Sequence, residues 1–304
     1  MPGVACAALI VAACAAPAPS FATPPGFAFL EIPSGARASA MGGAYASIAT
    51  GAEAAFWNPA GLEATRGTEI TASHYELYQK LRSDQFAVAG RWFGCGVSAS
   101  LRALYSEPIE ERDEIGNLIG SFGAHDLEFA LGMGGKVAPG LTAGGTASIV
   151  RERIANLAAG SYAFGAGMAY EPAPWPGLRF SLGAQNLGPS ATYDIDGEPG
   201  APVRLPAGVH GGVSYGFPIA GGYRVLGALE SRVTRGRSGV GMLGGELAGA
   251  MGAALRFGYR MDDANSTFGF GAGYATGPLR FDYAYVPSGL DLGDTHRFSF
   301  SARF

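Results

Sequence analysis

The chain has 304 residues, of which 48% are apolar and only 15% charged, well below the roughly 25% charged residues of ordinary soluble domains. A formal net charge of −4 gives no basic footprint and sets nucleic acid aside as a partner. The longest uncharged stretch beyond the N-terminal region, 205–223, contains Pro206, Pro218 and six glycines, so it cannot form the ~20-residue helix that a bilayer requires. Two classes remain, a very dry soluble β-protein or a transmembrane barrel, and 49 glycines with 11% aromatics suit packed, twisted strands.

In chain order, residues 4–16 form a compact apolar run, too short to span a bilayer. Ser20, Phe21 and Ala22 then supply a small-x-small cleavage site. This predicts a secretory signal peptide over 1–22, although no Lys or Arg precedes the apolar core. A second reading takes Val11-Ala12-Ala13-Cys14 as a lipoprotein box. After cleavage only Cys95 remains, so neither an internal disulfide nor a thiolate metal cluster can form. Over 36–49 the apolar residues Met41, Ala44, Tyr45 and Ile48 share one helical face, with Ser34 as N-cap. Asn58 before Pro59 reads as the cap and first residue of another short turn. Gly35, Ala38, Gly42, Gly43 and Ala46 let this segment lie close to surrounding backbone.

From residue 67 the chain repeats segments of about ten residues with period-two alternation, each closed by a turn signal. Phe298, Phe300, Ala302 and Phe304 oppose Arg297, Ser299, Ser301 and Arg303. Leu279, Phe281, Tyr283 and Tyr285 oppose Arg280 and Asp282. Leu255, Phe257 and Tyr259 oppose Arg256, Gly258 and Arg260. About fourteen such segments begin near 68, 84, 95, 126, 141, 160, 177, 204, 222, 238, 251, 266, 277 and 295. The polar face of Gly, Ser, Thr and Arg suits a wet or plugged lumen. Aromatics near segment ends (Tyr105, Tyr170, Trp175, Tyr215, Tyr223, Tyr274, Tyr285) suit interfacial girdles. Links after even-numbered strands are short, whereas 106–125, 152–158, 188–203 and 287–294 are long. The expected fold is all-β, a transmembrane antiparallel up-and-down barrel of about 14 strands.

No catalytic constellation, metal site or cofactor motif emerges, and the chain reads as a non-enzyme. His74, His125, His210 and His296 are scattered without ligand spacing. Asp194, Asp196 and Glu198 lack the later bidentate Glu of a calcium loop. Glu107, Glu110, Glu111, Asp113 and Glu114 read as a charged external loop, with cation or partner recognition as the alternative. Ser98, Ser100 and Cys95 have no neighbouring base signal, and the glycines of 241–245 lack a phosphate-loop context.

The two ends carry a resemblance. Gly35-Ala36-Arg37-Ala38 runs into Met41-Gly42-Gly43-Ala44-Tyr45, and Phe56-Trp57-Asn58-Pro59-Ala60-Gly61-Leu62 follows. The last hairpin holds Phe281-Asp282-Tyr283-Ala284-Tyr285 and Gly293-Asp294-Thr295-His296-Arg297-Phe298, and Gln185-Asn186-Leu187-Gly188-Pro189 lies between. Over 27–304 this resembles the PorV/PorQ family of outer-membrane barrels, related in fold to the FadL fatty-acid channels. The segment Ala49-Thr50-Gly51-Ala52-Glu53 departs from relatives that carry adjacent aspartates. The resemblance implies a short N-terminal helical plug over 23–66, inside a barrel of 67–304, with Gly35, Arg37, Met41, Gly42, Trp57, Asn58 and Pro59 as the plug motif. A helix outside the pore is the alternative. It also implies the cell outer membrane of a Gram-negative-type bacterium, with outer-membrane lipid as surroundings. Phe298, Phe300 and Phe304 resemble the C-terminal signal read by the barrel assembly machinery. Two functions follow. PorV-type barrels serve type IX secretion by binding secreted cargo proteins, here through loops 106–125 and 188–203. The FadL relation implies instead a channel for a hydrophobic solute, with wall kinks at glycines 144–145, 211–212 and 244–245.

Overall fold

The structure, a computed structural model, describes residues 25–195, 197–261, 267–287 and 293–304. Fourteen alternating segments pair edge to edge: β1 Glu69–Glu76, β2 Leu81–Trp92, β3 Cys95–Ser106, β4 Ala124–Ala138, β5 Leu141–Ile154, β6 Leu157–Tyr170, β7 Leu178–Leu187, β8 Gly208–Ile219, β9 Tyr223–Thr234, β10 Val240–Ala248, β11 Ala253–Met261, β12 Thr267–Thr276, β13 Leu279–Val286 and β14 Thr295–Arg303. Each pairs antiparallel with the next, and β1 returns to β14 from Glu69↔Arg303 to Glu76↔His296, which closes the barrel. Closure gives every strand two neighbours, the condition for strands in lipid. Among the described residues no helix is long and apolar enough to cross a membrane.

The two parities separate as the alternation predicts. Ser98, Ser100, Arg102, Arg256, Asp282, Arg297 and Ser299 are buried inside. Leu131, Met133, Ile149, Phe164, Phe257 and Phe270 stand 41–68% exposed on the outer wall. An apolar belt of that kind on a soluble protein would be an association site, so lipid is its natural solvent. Tyr170, Trp175, Tyr215, Tyr223 and Tyr274 ring the short-turn rim, and Tyr105 and Tyr285 lie at the loop rim. Short links at 93–94, 139–140, 171–177, 220–222, 249–252 and 277–278 share one rim, and the long segments 107–123 and 188–207 rise from the other. The link at 152–158 is not long. β5 and β6 run on until only Ala155 and Asn156 separate them, with Ala155 at φ 52°. Polar residues there extend the strands above the wall rather than forming a loop. Within 107–123, Ile109–Arg112 pairs with Leu118–Phe122 as an exposed ribbon.

The N-terminal segment lies inside the barrel. It begins near the loop rim, where Phe27, Phe29 and Leu30 pack with Val150, Ala159 and Ala163 of the wall and Ala191 and Leu205 of loop 188–207. It then crosses the lumen through α1 (Ala36–Ala40), α2 (Ala54–Trp57) and a 3-10 turn Pro59–Ala64, and leaves at the short-turn rim to enter β1. The predicted helix over 36–49 stops at Ala40, because Gly42 (φ 66°) and Gly43 (φ 87°) turn the chain left-handed. Ser34 does not cap it, since Gly35 occupies that position without a side-chain bond, and the Ser34 carbonyl accepts Trp57 Nε1–H at 2.8 Å. Asn58 does cap the following turn, accepting from Ala60 N–H at 3.0 Å ahead of Pro59. The main core is therefore between plug and wall: Met41, Tyr45, Trp57 and Leu62 against Ala87, Ala89, Ala228 and Met242.

Candidate functional site: a plugged lumen with a break in its wall

Inward parity places charged residues of the wall opposite the plug, and they connect in a closed circuit. Arg37 of α1 grips Glu246 of β10 with two bonds of 2.7 Å. Glu246 also accepts from Arg256 of β11 at 2.6 Å. Arg256 forms an ion pair with Asp282 of β13 at 2.8 Å, at an angle short of a hydrogen bond. Asp282 accepts from Arg280 at 2.8 Å, and Arg280 reaches back to the plug at Glu53, 2.5 Å away. Tyr45 donates to Glu53 at 2.8 Å and accepts from Arg37 at 3.2 Å, which closes the loop. Three guanidiniums meet three carboxylates, so the circuit is neutral. Burial opposes the charge on Glu53, but the guanidiniums of Arg280 and Arg37 outweigh it and hold its carboxyl below the usual carboxylate range. Further links fix the plug's backbone. Glu230 of β9 accepts the Tyr45 and Ala46 N–H groups at 2.9 and 2.8 Å. Ser299 accepts from Ala36 N–H at 2.7 Å, and Arg297 donates to Ser39 at 2.8 Å.

Glycines bring the two surfaces together. A Cβ on Gly134 or Gly96 would strike the carbonyls of Pro59 or Leu62. One on Gly258 would strike the Met41–Gly42 backbone. The glycines at 144–145, 211–212 and 244–245 introduce no kink: Gly144↔Gly134, Gly211↔Ser231 and Gly244↔Ala228 sit in unbroken register. Gly144 and Gly244 instead face Pro59 and Met41, and Gly212 faces the Glu230 side chain.

The wall changes register elsewhere. Between β6 and β7 the pairing runs from Tyr170↔Phe180 to Ala166↔Ala184 and then jumps to Phe164↔Leu187. Gly165 thus faces two residues, Gln185 and Asn186, the latter at φ 56°. Beyond Phe164 the upper part of β6 has no ladder partner in β7. The chain at 188–189 covers it, with Ser161 Oγ donating to the Pro189 carbonyl at 3.0 Å and Asn186 Nδ2 to that of Pro206 at 3.2 Å. Inside the bulge lies a recess of about 40 Å³ lined by Phe56, Trp57, Arg102, Glu128, Gln185 and His210, and bordered by Phe164, Ala166 and Ala184 of the wall.

The plug motif named from sequence converges in this lumen. Gly35 N–H donates to Gln85 at 3.3 Å, and Arg37 anchors the circuit. Met41 and Gly42 fill the approach to Gly258, Trp57 lies under the Arg232 guanidinium at 5.4 Å, and Asn58 and Pro59 face Gly167 and Gly134. Phe298, Phe300 and Phe304 stand apart on the outer side of β14, with Phe304 75% exposed and its backbone paired to Thr68. Glu53, Glu230, Glu246 and the bulge at Gln185–Asn186 carry no local sequence signal that marks them as site residues. The histidines occupy four places: His74 on the outer wall 2.7 Å from Asp84, His296 there 2.8 Å from Tyr283, His210 in the lumen, and His125 at the start of β4. His74 and Asp84 line an outer groove of about 770 Å³ with Phe86, Leu101, Phe281 and Phe298, on the lipid side of the wall. The 194–198 turn is held by Gly197 N–H donating to Asp194 at 2.7 Å, and Asp196 lies outside the described residues.

No family model and no curated protein matches the chain. Solved structures do share its fold. The Ralstonia pickettii toluene transporter TbuX superposes with a TM-score of 0.59 at 14% identity, covering 89% of this chain and 98% of that one. The monoaromatic hydrocarbon channel CymD gives 0.60 at 12% identity, covering 89% and 97%. A Pseudomonas aeruginosa FadL homologue gives 0.54 at 12%, covering 93% and 99%. At these identities the likeness is one of fold: a closed 14-strand antiparallel barrel with a short helical N-terminal segment, as in FadL-type channels.

Proposed function

We propose that this protein is an outer-membrane channel, not an enzyme, that passes small hydrophobic molecules sideways through the wall at the β6–β7 break. The observation that carries this reading is the bulge itself, where Phe164, Ala166 and Ala184, residues of the outward parity, border a lumen recess. An apolar solute gains nothing from the charged centre of the lumen, which is closed by the plug. A lateral exit delivers it into hydrocarbon without crossing that circuit. The neighbours in fold include a toluene transporter and monoaromatic hydrocarbon channels, which supports the solute class, and the apolar belt supports the outer-membrane location. Export by a signal peptide over 1–22, a region outside the described residues, and recognition of Phe298, Phe300 and Phe304 by the assembly machinery complete the proposal. Membership of the PorV/PorQ family, with cargo binding for type IX secretion, rests on the end motifs alone, and nothing in the lumen adds to it.

The test is uptake of radiolabelled toluene by outer-membrane-bearing cells that express the protein, against the same cells with Gly165→Trp. Uptake above the empty-vector rate, lost in the variant while its unboiled gel mobility stays that of a folded barrel, supports the lateral route. Equal uptake by both proteins would overturn it.

A further inference from the structure

Two arginines stand on the outer face of β5 with no acid beside them. Arg151 and Arg153 share the outward parity of Ile149, and both are exposed. Their ladder neighbours on that face bring no negative charge: Arg151 lies between Leu127 and Gly160, and Arg153 between His125 and Ala158. Glu152, between them in sequence, points into the lumen, where it accepts from Phe27 N–H at 2.7 Å and from the Tyr193 hydroxyl. Among the described residues neither arginine has an acidic partner, and Arg153 Nε donates to the Ala155 carbonyl at 3.0 Å. Other cations of the same rim are matched. Lys80 and Arg82 share Glu107, Arg112 pairs with Glu110, and Arg237 pairs with Glu31.

Height decides what this pair meets. β5 leaves the short-turn rim at Leu141. A rise of ~3.3 Å per residue and a strand tilt of ~40° place Arg151 about 25 Å above that point, the height of the apolar band of such barrels. Leu127, Phe129, Ile149 and Tyr162, 46–68% exposed, lie level with Arg151 or beneath it. The arginines therefore stand where lipid headgroups meet water. Above them an open cleft of about 640 Å³ is lined by Arg153, His125, Asn156, Ser121, Phe122 and Glu111 of the ribbon. Guanidinium groups suit a phosphate. Glu111 would repel a bare phosphate but accepts from a hydroxyl, as does the Asn156 amide oxygen. Together these groups match a phosphate carried on a sugar better than a free anion.

We propose that Arg151 and Arg153 bind the phosphorylated sugar headgroup of an outer-leaflet lipid, whose acyl chains lie against Leu127, Phe129, Ile149 and Tyr162. The proposal rests on the outer-membrane reading above and is independent of lateral passage. Native mass spectrometry of the full-length protein in detergent micelles tests it, with three probes: lipid A bearing two phosphates, the same lipid stripped of both, and inorganic phosphate. Arg151→Gln combined with Arg153→Gln weakens lipid A binding about thirtyfold, the share of two arginines in attraction to an anionic lipid surface, and leaves the stripped lipid unchanged. Arg151→Lys with Arg153→Lys, which keeps both charges, retains most of the affinity. Lys80→Gln, which removes a rim cation already held by Glu107, leaves lipid A binding as it was. Unboiled gel mobility reports that each variant is a folded barrel. Equal binding of lipid A by the wild type and the double Gln variant overturns the site. A loss of the same size in Lys80→Gln overturns it as well, since the attraction would then belong to the whole rim. Displacement of lipid A by an equal concentration of inorganic phosphate reassigns the patch to a free anion and overturns the lipid. Failure of the wild type to co-fractionate with the outer membrane of expressing cells overturns the location, and the proposal with it, whereas failure of the site alone leaves the location standing.

Discussion

The plug touches opposite sides of the barrel in different ways. Against β3 to β6, residues 58–62 lie backbone-on-backbone over Gly96, Gly134 and Gly144, with Asn58 Nδ2 donating to the Met168 carbonyl at 3.2 Å as a side-chain link. Against β10 to β14, residues 36–53 also meet glycines, at 244, 258 and 269, but add the seven-member circuit from Arg37 through Glu246, Arg256, Asp282, Arg280 and Glu53 to Tyr45. Glycine allows approach on either side without choosing a register, because one backbone stretch fits such a surface much as another does. A circuit of alternating charges is satisfied in one register alone, since a displaced plug would leave Glu246 and Asp282 facing unpaired guanidiniums in a dry space. The first flank therefore supplies proximity, and the second fixes position.

The largest effect follows from cutting the circuit at its most shared atom set. Glu246→Ala leaves Arg37 and Arg256 buried without their common acceptor, a loss of about 3–5 kcal/mol for a broken buried pair. Amide exchange in nanodiscs reads it: protection over residues 36–46 falls by about two to four decades at ~1.4 kcal/mol per decade, while the barrel strands keep theirs. Protection unchanged over 36–46 would mean that the glycine contacts alone hold this flank.

Gly134→Val tests the other side. Its added carbons meet the Pro59 carbonyl and lie against Leu62, with wall backbone behind them, and overpacking of this kind costs about 1–3 kcal/mol. Residues 58–62 lose exchange protection and the Tyr45 region does not, because the circuit on the far flank is untouched. Joint loss at both places would show that the plug moves as one rigid body, and the contrast between flanks would fail.

Acidification gives a smaller, graded break. The Glu53 carboxyl is held below the usual range, so its contribution is full at neutral pH and persists down to the unfolded value. It is lost as pH falls through the lowered folded value. Protection over 36–53 is expected to stay flat from neutrality to about pH 5 and to decline below about pH 4. Glu53→Gln removes the part of that decline due to this carboxyl. A decline already complete at pH 6 would assign the titration to another group.

Much of this arrangement was written in the alternation and some was not. Strand number, inner and outer faces and the rim of short turns follow from period two, and Arg256, Arg280, Asp282 and Arg297 fall on the inward parity by counting alone. Which of them meet is a matter of stagger between strands, and no local signal carries it: Glu53 and Arg280 are 227 residues apart. The helix over 36–49 failed for a local reason, since Gly42 and Gly43 outweigh a favourable apolar face. The break was half-visible. Gln185-Asn186-Leu187-Gly188-Pro189 stands out as a motif, but its bulge depends on Gly165 across the ladder.

The smallest effect sharpens the comparison by moving it out of the lumen. At the loop rim Glu107 pairs with Arg82 at 3.0 Å and Lys80 at 3.3 Å, distances close to those of the circuit, but with side chains 37%, 41% and 76% exposed. Exposed pairs contribute about 0–1 kcal/mol and are screened by salt over a Debye length of about 8 Å at physiological ionic strength. Glu107→Gln should therefore shift the thermal midpoint barely, and 0.5 M salt should erase even that, whereas the Glu246→Ala loss persists in the same salt because Arg37, Glu246 and Arg256 are only 16%, 9% and 3% exposed. If salt weakened both pairs alike, the lumen circuit would be as wet as the rim, and its power to fix the plug in one register would be gone.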